Sequence, residues 1–384
     1  MGDHLVERMH GFGESVFAEM TQRAAAAAAV NLGQGFPDTD GPPAVLAAAV
    51  NAIASGLNQY PPGSGMPVLR QAIAAHQDRF YGLAVDPADE VLVTVGATEA
   101  IAAAILALCE PGDEVVTFEP YYDSYAASIA LAGAVRRTAP LTFPHFGIDP
   151  VGLRSAFSSR TRLVLLNTPH NPTGKVFSRY ELELIAGLAR EFDAVVLTDE
   201  VYEHVVYDGT HIPMATLPGM AQRTLTISSG GKTFATTGWK VGWIHGPAEL
   251  ISAVRTVKQF LTFVASGPFQ PAIAVGLELP DSYFADLTAS MRHRRDLLVK
   301  GLEAMDVPVS VPAGGYFVIA DMARFDTDAL ALCRAMPERI GVAAVPVSAF
   351  HDHPDISPSL VRLAFCKKDD VLAEGVRRLA LLTD

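Results

Sequence analysis

The chain has 384 residues, of which 49% are hydrophobic and 18% charged, enough for a large core and too apolar for a disordered polymer. Its 29 basic and 42 acidic residues leave a net charge of −13, which disfavours a nucleic-acid or anionic-membrane binder because counterion release needs basic surface. Cys109, Cys333 and Cys366 form no CxxC pattern and leave an odd count, so a reducing cytoplasm is expected, with neither a disulfide framework nor a zinc site.

In chain order, the amino-terminal region carries Asp3 and Glu7 and no basic run leading into a long apolar stretch. The Ala24–Val30 tract is too short to span a bilayer, so neither export nor anchoring is expected. Ala24–Ala29 reads as helix surface. Short apolar runs then alternate with helix-like segments: Val91–Val95, Glu114–Phe118, Leu163–Leu166, Ala194–Thr198, Thr224–Ile227 and Val241–Ile244. Continuous Val, Ile and Leu runs suit strands buried on both faces of a mostly parallel sheet. Between them, Glu99–Cys109 is Ala- and Ile-rich enough for a buried helix, and Ser178–Phe192 shows helical spacing with Ser178 as N-cap. After Asp281 the pattern changes to a basic helix around Arg292–Lys300 and strand candidates Tyr316–Ala320, Val342–Pro346 and Leu360–Phe365. An α/β architecture follows, with residues 42–275 as a large domain, 276–384 as a smaller α+β domain, and 1–41 as a segment packing on the latter.

Several clusters carry chemistry. Val91–Val95 runs into Gly96-Ala97-Thr98 and a helix, an arrangement that offers backbone N–H groups and a positive helix end to a phosphate. Gly33-Gln-Gly and Gly63-Ser-Gly do not sit between a buried strand and a helix, so a dinucleotide fingerprint is excluded. Asn167-Thr-Pro-His-Asn-Pro-Thr-Gly and Asp199-Glu-Val-Tyr each follow a strand, at the carboxyl edge where open α/β sheets bind ligands. Taken singly, the first also reads as an ordinary turn and Asp199 as a helix N-cap. Lys232 in Ser-Ser-Gly-Gly-Lys is a flexible ammonium among small residues at a strand end. A turn lysine is its ordinary reading, and a Schiff-base lysine its chemical one. Arg362 lies within a strand-like Leu-Val-Arg-Leu-Ala-Phe run and needs an anion, either an internal carboxylate or a ligand. Trp239 and Trp243 flank Lys240 and read as core. His351-Asp-His353 sits in a Pro-rich loop without a third ligand, and no metal is expected.

Taken together and in this order, Gly96-Ala97-Thr98, Tyr122, Asn171-Pro-Thr-Gly, Asp199-Glu-Val-Tyr202, Ser229-Gly-Gly-Lys232, Lys240 and Arg362 resemble the class I pyridoxal-phosphate aminotransferases. The wording of Asn31-Leu-Gly-Gln-Gly-Phe-Pro-Asp and Gly231-Lys-Thr-Phe-Ala-Thr-Thr-Gly-Trp is similar to the kynurenine, glutamine and methionine branch. Val93-Thr-Val-Gly-Ala-Thr-Glu-Ala and Pro169-His-Asn-Pro are similar to actinobacterial N-succinyldiaminopimelate aminotransferases. The resemblance implies fold type I, with a mostly parallel seven-stranded sheet flanked by helices, pyridoxal 5'-phosphate as cofactor, and a cytoplasmic homodimer sharing its active sites.

By the same resemblance Lys232 forms the Schiff base and shuttles the proton, Asp199 pairs with the pyridine nitrogen, and Asn171 and Tyr202 bond the phenolic oxygen. Tyr122 stacks on the ring; Gly96, Ala97, Thr98, Ser229 and Lys240 hold the phosphate, joined by Tyr60 from the partner subunit. Arg362, Asn171 and the backbone of Gly35 bind the substrate carboxylate, and the partner's aromatic at the position of Phe263 reaches the substrate. Selectivity is expected around Phe17, around Tyr60 and in 256–270. Lys240 stands where aspartate-type members often carry arginine, and no second arginine is identifiable for a dicarboxylate, which argues against a strict aspartate enzyme. The implied reaction moves an amino group from an L-amino acid to a 2-oxo acid by a ping-pong route. The donor is N-succinyl-diaminopimelate or a kynurenine-, glutamine- or methionine-type amino acid. A C–S β-lyase, or another pyridoxal-phosphate enzyme of specialised metabolism such as an oxidase or decarboxylase, on the same fold is the alternative. A regulator is disfavoured because no basic DNA-binding module precedes Gly33.

Overall fold

Apolar strands need both faces covered, and the computed structural model, which describes residues 4–13 and 15–383, covers them with helices. Asp3 lies outside the described residues. An eight-stranded sheet runs in the order Val91–Val95, Val241–His245, Thr224–Ser229, Val195–Asp199, Thr161–Asn167, Glu114–Glu119, Val135–Thr142 and Gly147–Ile148. The four pairings among the five strands from Thr224–Ser229 to Val135–Thr142 are parallel; the outer ones are antiparallel. Seven strands match the expected sheet, and the eighth is a two-residue hairpin extension. The long strand missed in the sequence, Val135–Thr142, alternates exposed and covered residues and contains Arg136, Arg137 and Pro140. It pairs on one side with Glu114–Glu119, and at Leu141 and Thr142 with the hairpin extension. A strand so placed needs no apolar run on both faces.

The helix Arg179–Glu191 begins where Ser178 and Glu181 form a reciprocal capping box, a feature that contributes about 1 kcal/mol. The helix Gly96–Leu108 buries Ala100, Ile101, Ala103, Ala104 and Ile105 against the sheet. Its small side chains let it lie close, and that places its first turn over the sheet's carboxyl edge.

A second, four-stranded sheet joins Val309–Ser310, Phe317–Asp321, Leu360–Ala364 and Val345–Pro346, all antiparallel. The expected single strand Val342–Pro346 is divided in two. Val342–Ala343 pairs in parallel with Val30–Asn31, and after Ala344 the chain changes partner to Leu360–Ala364. The Ala-rich tract is likewise corrected: the helix Val16–Ala26 ends inside it, Ala24 is buried, and Ala28 turns the chain through a positive φ of 48° into that pairing. Arg334 forks onto Glu19, tying the first helix to the helix Ala329–Arg339. The cores of the two sheets touch, because Ile319, Val347 and Leu360 pack among the residues around Val116 and Val164. The carboxyl edge of the large sheet and the near end of the small one therefore close on a common space.

No helix among the described residues is long and apolar enough to cross a membrane.

Candidate active site

Asn167 and Asp199 end neighbouring parallel strands and stand opposite each other in register, while Ser229 ends the next strand. A parallel sheet brings its carboxyl ends to one edge, so three polar groups far apart in sequence become neighbours. They line a cavity of about 410 Å³. Gly35, Gly96, Ala97, Thr98, Tyr122, Asn171, Asp199, Tyr202, Ser229, Lys232, Lys240 and Arg362 all line it. Tyr60 and Phe263 do not. They stack edge-on with ring centroids 5.4 Å apart on the protein surface, where Tyr60 is 81% and Phe263 55% exposed.

At one end, Gly96 takes a positive φ of 73° and opens the helix Gly96–Leu108. A Cβ on Gly96 would meet Lys240 Nζ at 3.0 Å, and one on Gly242 would meet the Ala97 nitrogen at 2.7 Å. The glycines thus let a lysine ammonium and the helix N-terminus share one concave surface, a set of donors suited to a dianion. Lys240 itself sits at a positive φ of 54°, which turns its side chain toward Gly96.

Across the cavity floor, Asp199 is 5% exposed. Its Oδ2 accepts from Tyr125 Oη at 2.6 Å and its Oδ1 from the Val201 amide at 3.3 Å. Burial pushes its carboxyl upward, and the Tyr125 bond and the nearby Lys232 ammonium oppose that. Asn167 Nδ2 donates to the Asp199 carbonyl at 2.8 Å, and Asn167 Oδ1 accepts the Asn171 amide at 2.6 Å. Tyr122 stands edge-on to Tyr125 at 5.7 Å, and burial raises its phenol to about 12.

Lys232 projects between these groups. Its Nζ donates to the Gly35 carbonyl at 2.8 Å and lies 5.6 and 5.8 Å from the Tyr202 and Tyr316 ring centroids. Burial lowers it to about 8, with Arg362 and Lys240 adding to the effect and Asp199 resisting it. Tyr316 Oη donates to the Lys232 carbonyl, which anchors the backbone of the short helix Gly230–Thr233. A turn lysine in water would show none of this. Gly35 has its own constraint, since a Cβ there would lie 2.2 Å from the Phe317 ring.

Arg362 is 2% exposed. Nη2 donates to the Gly33 carbonyl at 2.7 Å and Nη1 to Asn171 Oδ1 at 3.0 Å. The guanidinium carbon lies 3.9 Å from the Phe317 centroid, 4.7 Å from Phe350 and 5.0 Å from Phe17. No carboxylate among the described residues pairs with it, and its buried Nε has no hydrogen-bond partner. The internal ion pair that a buried arginine ordinarily needs is missing. Aromatic rings hold the fork while its charge is left for something that enters the cavity.

Sequence reasoning missed Tyr125, Asn167, Tyr316, Phe317 and Phe350 as site residues. Tyr125 had a signal, because it lies one helical turn beyond Tyr122. Asn167 headed a motif that was recognised, yet only strand register sets it against Asp199. The three aromatics around Lys232 and Arg362 carried none. Trp243 is core, whereas Trp239 is half-buried and stacks on Phe269 at 4.7 Å. His351 and His353 both bond the buried Glu119 at 3.1 Å.

A family model described as aminotransferase class I and II matches residues 27–379. The probable N-succinyldiaminopimelate aminotransferase of Mycobacterium tuberculosis is 51% identical over 99% of this chain and 98% of its own. The methionine aminotransferase of Escherichia coli is 38% identical over 96% of each chain. The solved structure of N-succinyldiaminopimelate aminotransferase from Mycobacterium tuberculosis superposes with a TM-score of 0.97 at 52% identity, covering 98% of this chain and 100% of that one. With fold and sequence matched from end to end, the chain belongs to the class I and II aminotransferases and is itself an aminotransferase.

Proposed function

We propose that this enzyme uses pyridoxal 5'-phosphate to move an amino group from N-succinyl-diaminopimelate to a 2-oxo acid by a ping-pong route. The cavity's donor set fits the cofactor. A half-buried amine, a glycine-lined cradle with a lysine ammonium, and a buried carboxylate occupy three sides of one space, matching an aldehyde, a phosphate and a pyridine nitrogen. When bound, the cofactor supplies an electron sink for the pair released at the substrate α-carbon.

The chain's own groups do the rest. Lys232 holds the cofactor covalently and later carries the proton at its Nζ. Asp199, whose upward shift from burial the Tyr125 bond opposes, favours a protonated ring nitrogen. Asn171 has its Oδ1 committed to Arg362, which leaves Nδ2 to donate toward the phenolic oxygen together with Tyr202. Tyr122 covers a ring face. Gly96, Ala97, Thr98, Ser229 and Lys240 take the phosphate. Arg362 and the Gly35 backbone take the substrate α-carboxylate, and the unpaired Arg362 Nε is the single observation that carries this reading.

The donor rests on the 51% identity, end to end, to a relative described as acting on N-succinyldiaminopimelate. A homodimer is supported by the exposed cluster of Tyr60, Phe263 and Phe260, the last 83% exposed. Such rings on a surface suit burial against a second copy, where Tyr60 and Phe263 would reach the partner's site. In the division into 1–41, 42–275 and 276–384, the pairing of Val30–Asn31 with Val342–Ala343 supports the packing of the first segment on the last. Three buried, unpaired cysteines are in keeping with a cytoplasmic enzyme.

Two measurements test the reading. In a half-reaction screen, single amino acids are added to the cofactor-loaded enzyme and the cofactor's absorption is followed to the amine form. N-succinyl-diaminopimelate is expected to give the highest second-order rate among a panel that includes kynurenine, glutamine and methionine. A faster reaction with another donor, or steady release of ammonia and a keto acid without an acceptor, refutes it. The second concerns pH. Because the neutral amine is the nucleophile and burial brings Lys232 to about 8, cofactor uptake by the apoenzyme should rise with pH and level off just above 8. Continued acceleration beyond pH 10, the behaviour of a solvated lysine, contradicts it.

A further inference from the structure

Behind the strand that ends in Asp199, a second cluster of ligating side chains is left over by the reaction. His76 stands in the helix Pro67–Tyr81, and Glu203 and His204 lie in the turn that follows Asp199 and Tyr202. His76 Nε2 and His204 Nε2 face each other at 2.7 Å, and ligand atoms of all three residues lie within 4.8 Å of one another. His76 is 2%, Glu203 6% and His204 9% exposed.

Charge balance is what makes the cluster unusual. Glu200, in the same turn, is partnered by His211 at 2.7 Å. Glu203 has no ion-pair partner among the described residues; Ser228 Oγ at 2.7 Å and Tyr81 Oη at 2.8 Å donate to its two oxygens, and both donors are neutral. The nearest fixed cation on the helix, Arg79, is turned outward to Asp281. Buried charges are ordinarily paired or bound to a metal. Nearby, His245 Nε2 is buried without a hydrogen-bond partner among the described residues, so the pocket of polar atoms is incomplete as it stands.

We propose that His76, Glu203 and His204 form a zinc site, binding one Zn²⁺ through two imidazole nitrogens and one carboxylate oxygen with the fourth position left to water. Two histidines and a glutamate are a common three-ligand set for this ion. At Zn–N distances of about 2.0–2.1 Å, tetrahedral ligands sit about 3.3 Å apart, so the histidine pair has to separate by only about half an ångström. Tyr81 and Ser228 are the outer partners that orient the carboxylate. Phe80 and Phe284 form an apolar wall, with ring centroids 4.8 and 4.3 Å from that of His204. An ion enters through a surface cavity of about 600 Å³ that reaches Glu203 and His204 between Phe80, Asp281, Phe284 and Arg292. The metal staples the helix Pro67–Tyr81 to the turn carrying Tyr202. No sequence spacing announced it, because the two histidines are 128 residues apart.

The test uses cofactor-loaded enzyme treated with a chelator, desalted and titrated with ZnCl₂ against a chromophoric competitor. One zinc per chain is expected, with a raised melting temperature. CoCl₂ in its place should give the visible bands of four-coordinate cobalt, beyond the cofactor's own absorption. His76→Gln and His204→Gln should each weaken zinc by more than the about 10–100-fold that an outer partner carries, and Tyr81→Phe by about that amount. The Tyr81→Phe and cobalt measurements keep the test decisive should a histidine variant fold poorly. Failure to take up one equivalent overturns the proposal. So does uptake unchanged in both histidine variants, or uptake lost in His353→Gln, which would mark adventitious binding at His351 and His353.

Discussion

Lys232→Ala is expected to leave a folded protein whose turnover is lower by at least about 10⁴-fold, the scale set by losing both a covalent nucleophile and a positioned proton carrier. No second group in the cavity can replace it. Lys240 is drawn to the Gly96 cradle at the far end, and Arg362 cannot act as a base. The fold should tolerate the change. Tyr316 holds the backbone carbonyl of Lys232, not its amine, and among the described residues the only side-chain hydrogen bond lost is the one to the Gly35 carbonyl. Steady-state kinetics with the preferred donor, together with a melting curve, check this. Borohydride reduction of the loaded wild-type enzyme should attach the cofactor to Lys232 and leave the variant unlabelled. Transamination retained within about tenfold of wild type, the range open to an ordinary contact, would remove Lys232 from its role.

Arg362→Met should lower kcat/KM by about 10²–10⁴-fold while cofactor uptake is unchanged. Removing one member of a buried, hydrogen-bonded charge pair costs about 3–5 kcal/mol, and each 1.36 kcal/mol is a factor of ten. Here the other member is the incoming carboxylate. Arg362→Lys is not expected to rescue the loss, since a point charge cannot reproduce a fork that Gly33, Asn171 and three aromatic rings already hold in place. The readout is the division between KM and kcat for the donor, alongside the cofactor dissociation constant. An unchanged KM in both variants would mean that the unpaired guanidinium serves some purpose other than substrate binding.

The two variants also show how unevenly the site could be read beforehand. Lys232 stood out locally as a lysine among glycines and serines at a strand end, yet that string alone reads as a turn, and only the ordered motifs around Asp199, Asn171, Tyr202, Lys240 and Arg362 pointed to a Schiff base. Arg362 was visible only as a problem, a buried charge requiring an anion, with an internal carboxylate as the ordinary partner and a ligand as the other. Among the described residues, no carboxylate forms an ion pair with it. Tyr60 and Phe263 were assigned to a shared active site, and they lie on the surface of the single chain, outside the cavity that the other assigned residues line.

What the sequence by itself determined is everything that rests on near neighbours. Continuous Val, Ile and Leu runs mark buried strands because both faces are apolar at once, Ser178 and Glu181 cap their own helix, and polar clusters directly after strands lie at the binding edge by sheet geometry alone. Only the tertiary structure decided the rest. Asn167 meets Asp199 through strand register, Tyr125 reaches Asp199 across 74 residues, and among the described residues Glu203 meets only the neutral donors Ser228 and Tyr81 at hydrogen-bond distance, brought to it by elements far away in sequence. The strand Val135–Thr142, next to the sheet's edge, escaped notice for the same reason in reverse. Partly exposed, it carries arginines where an interior strand carries valines. Local preference is written in adjacent residues, whereas the partner of a buried charge depends on which distant surfaces pack against it.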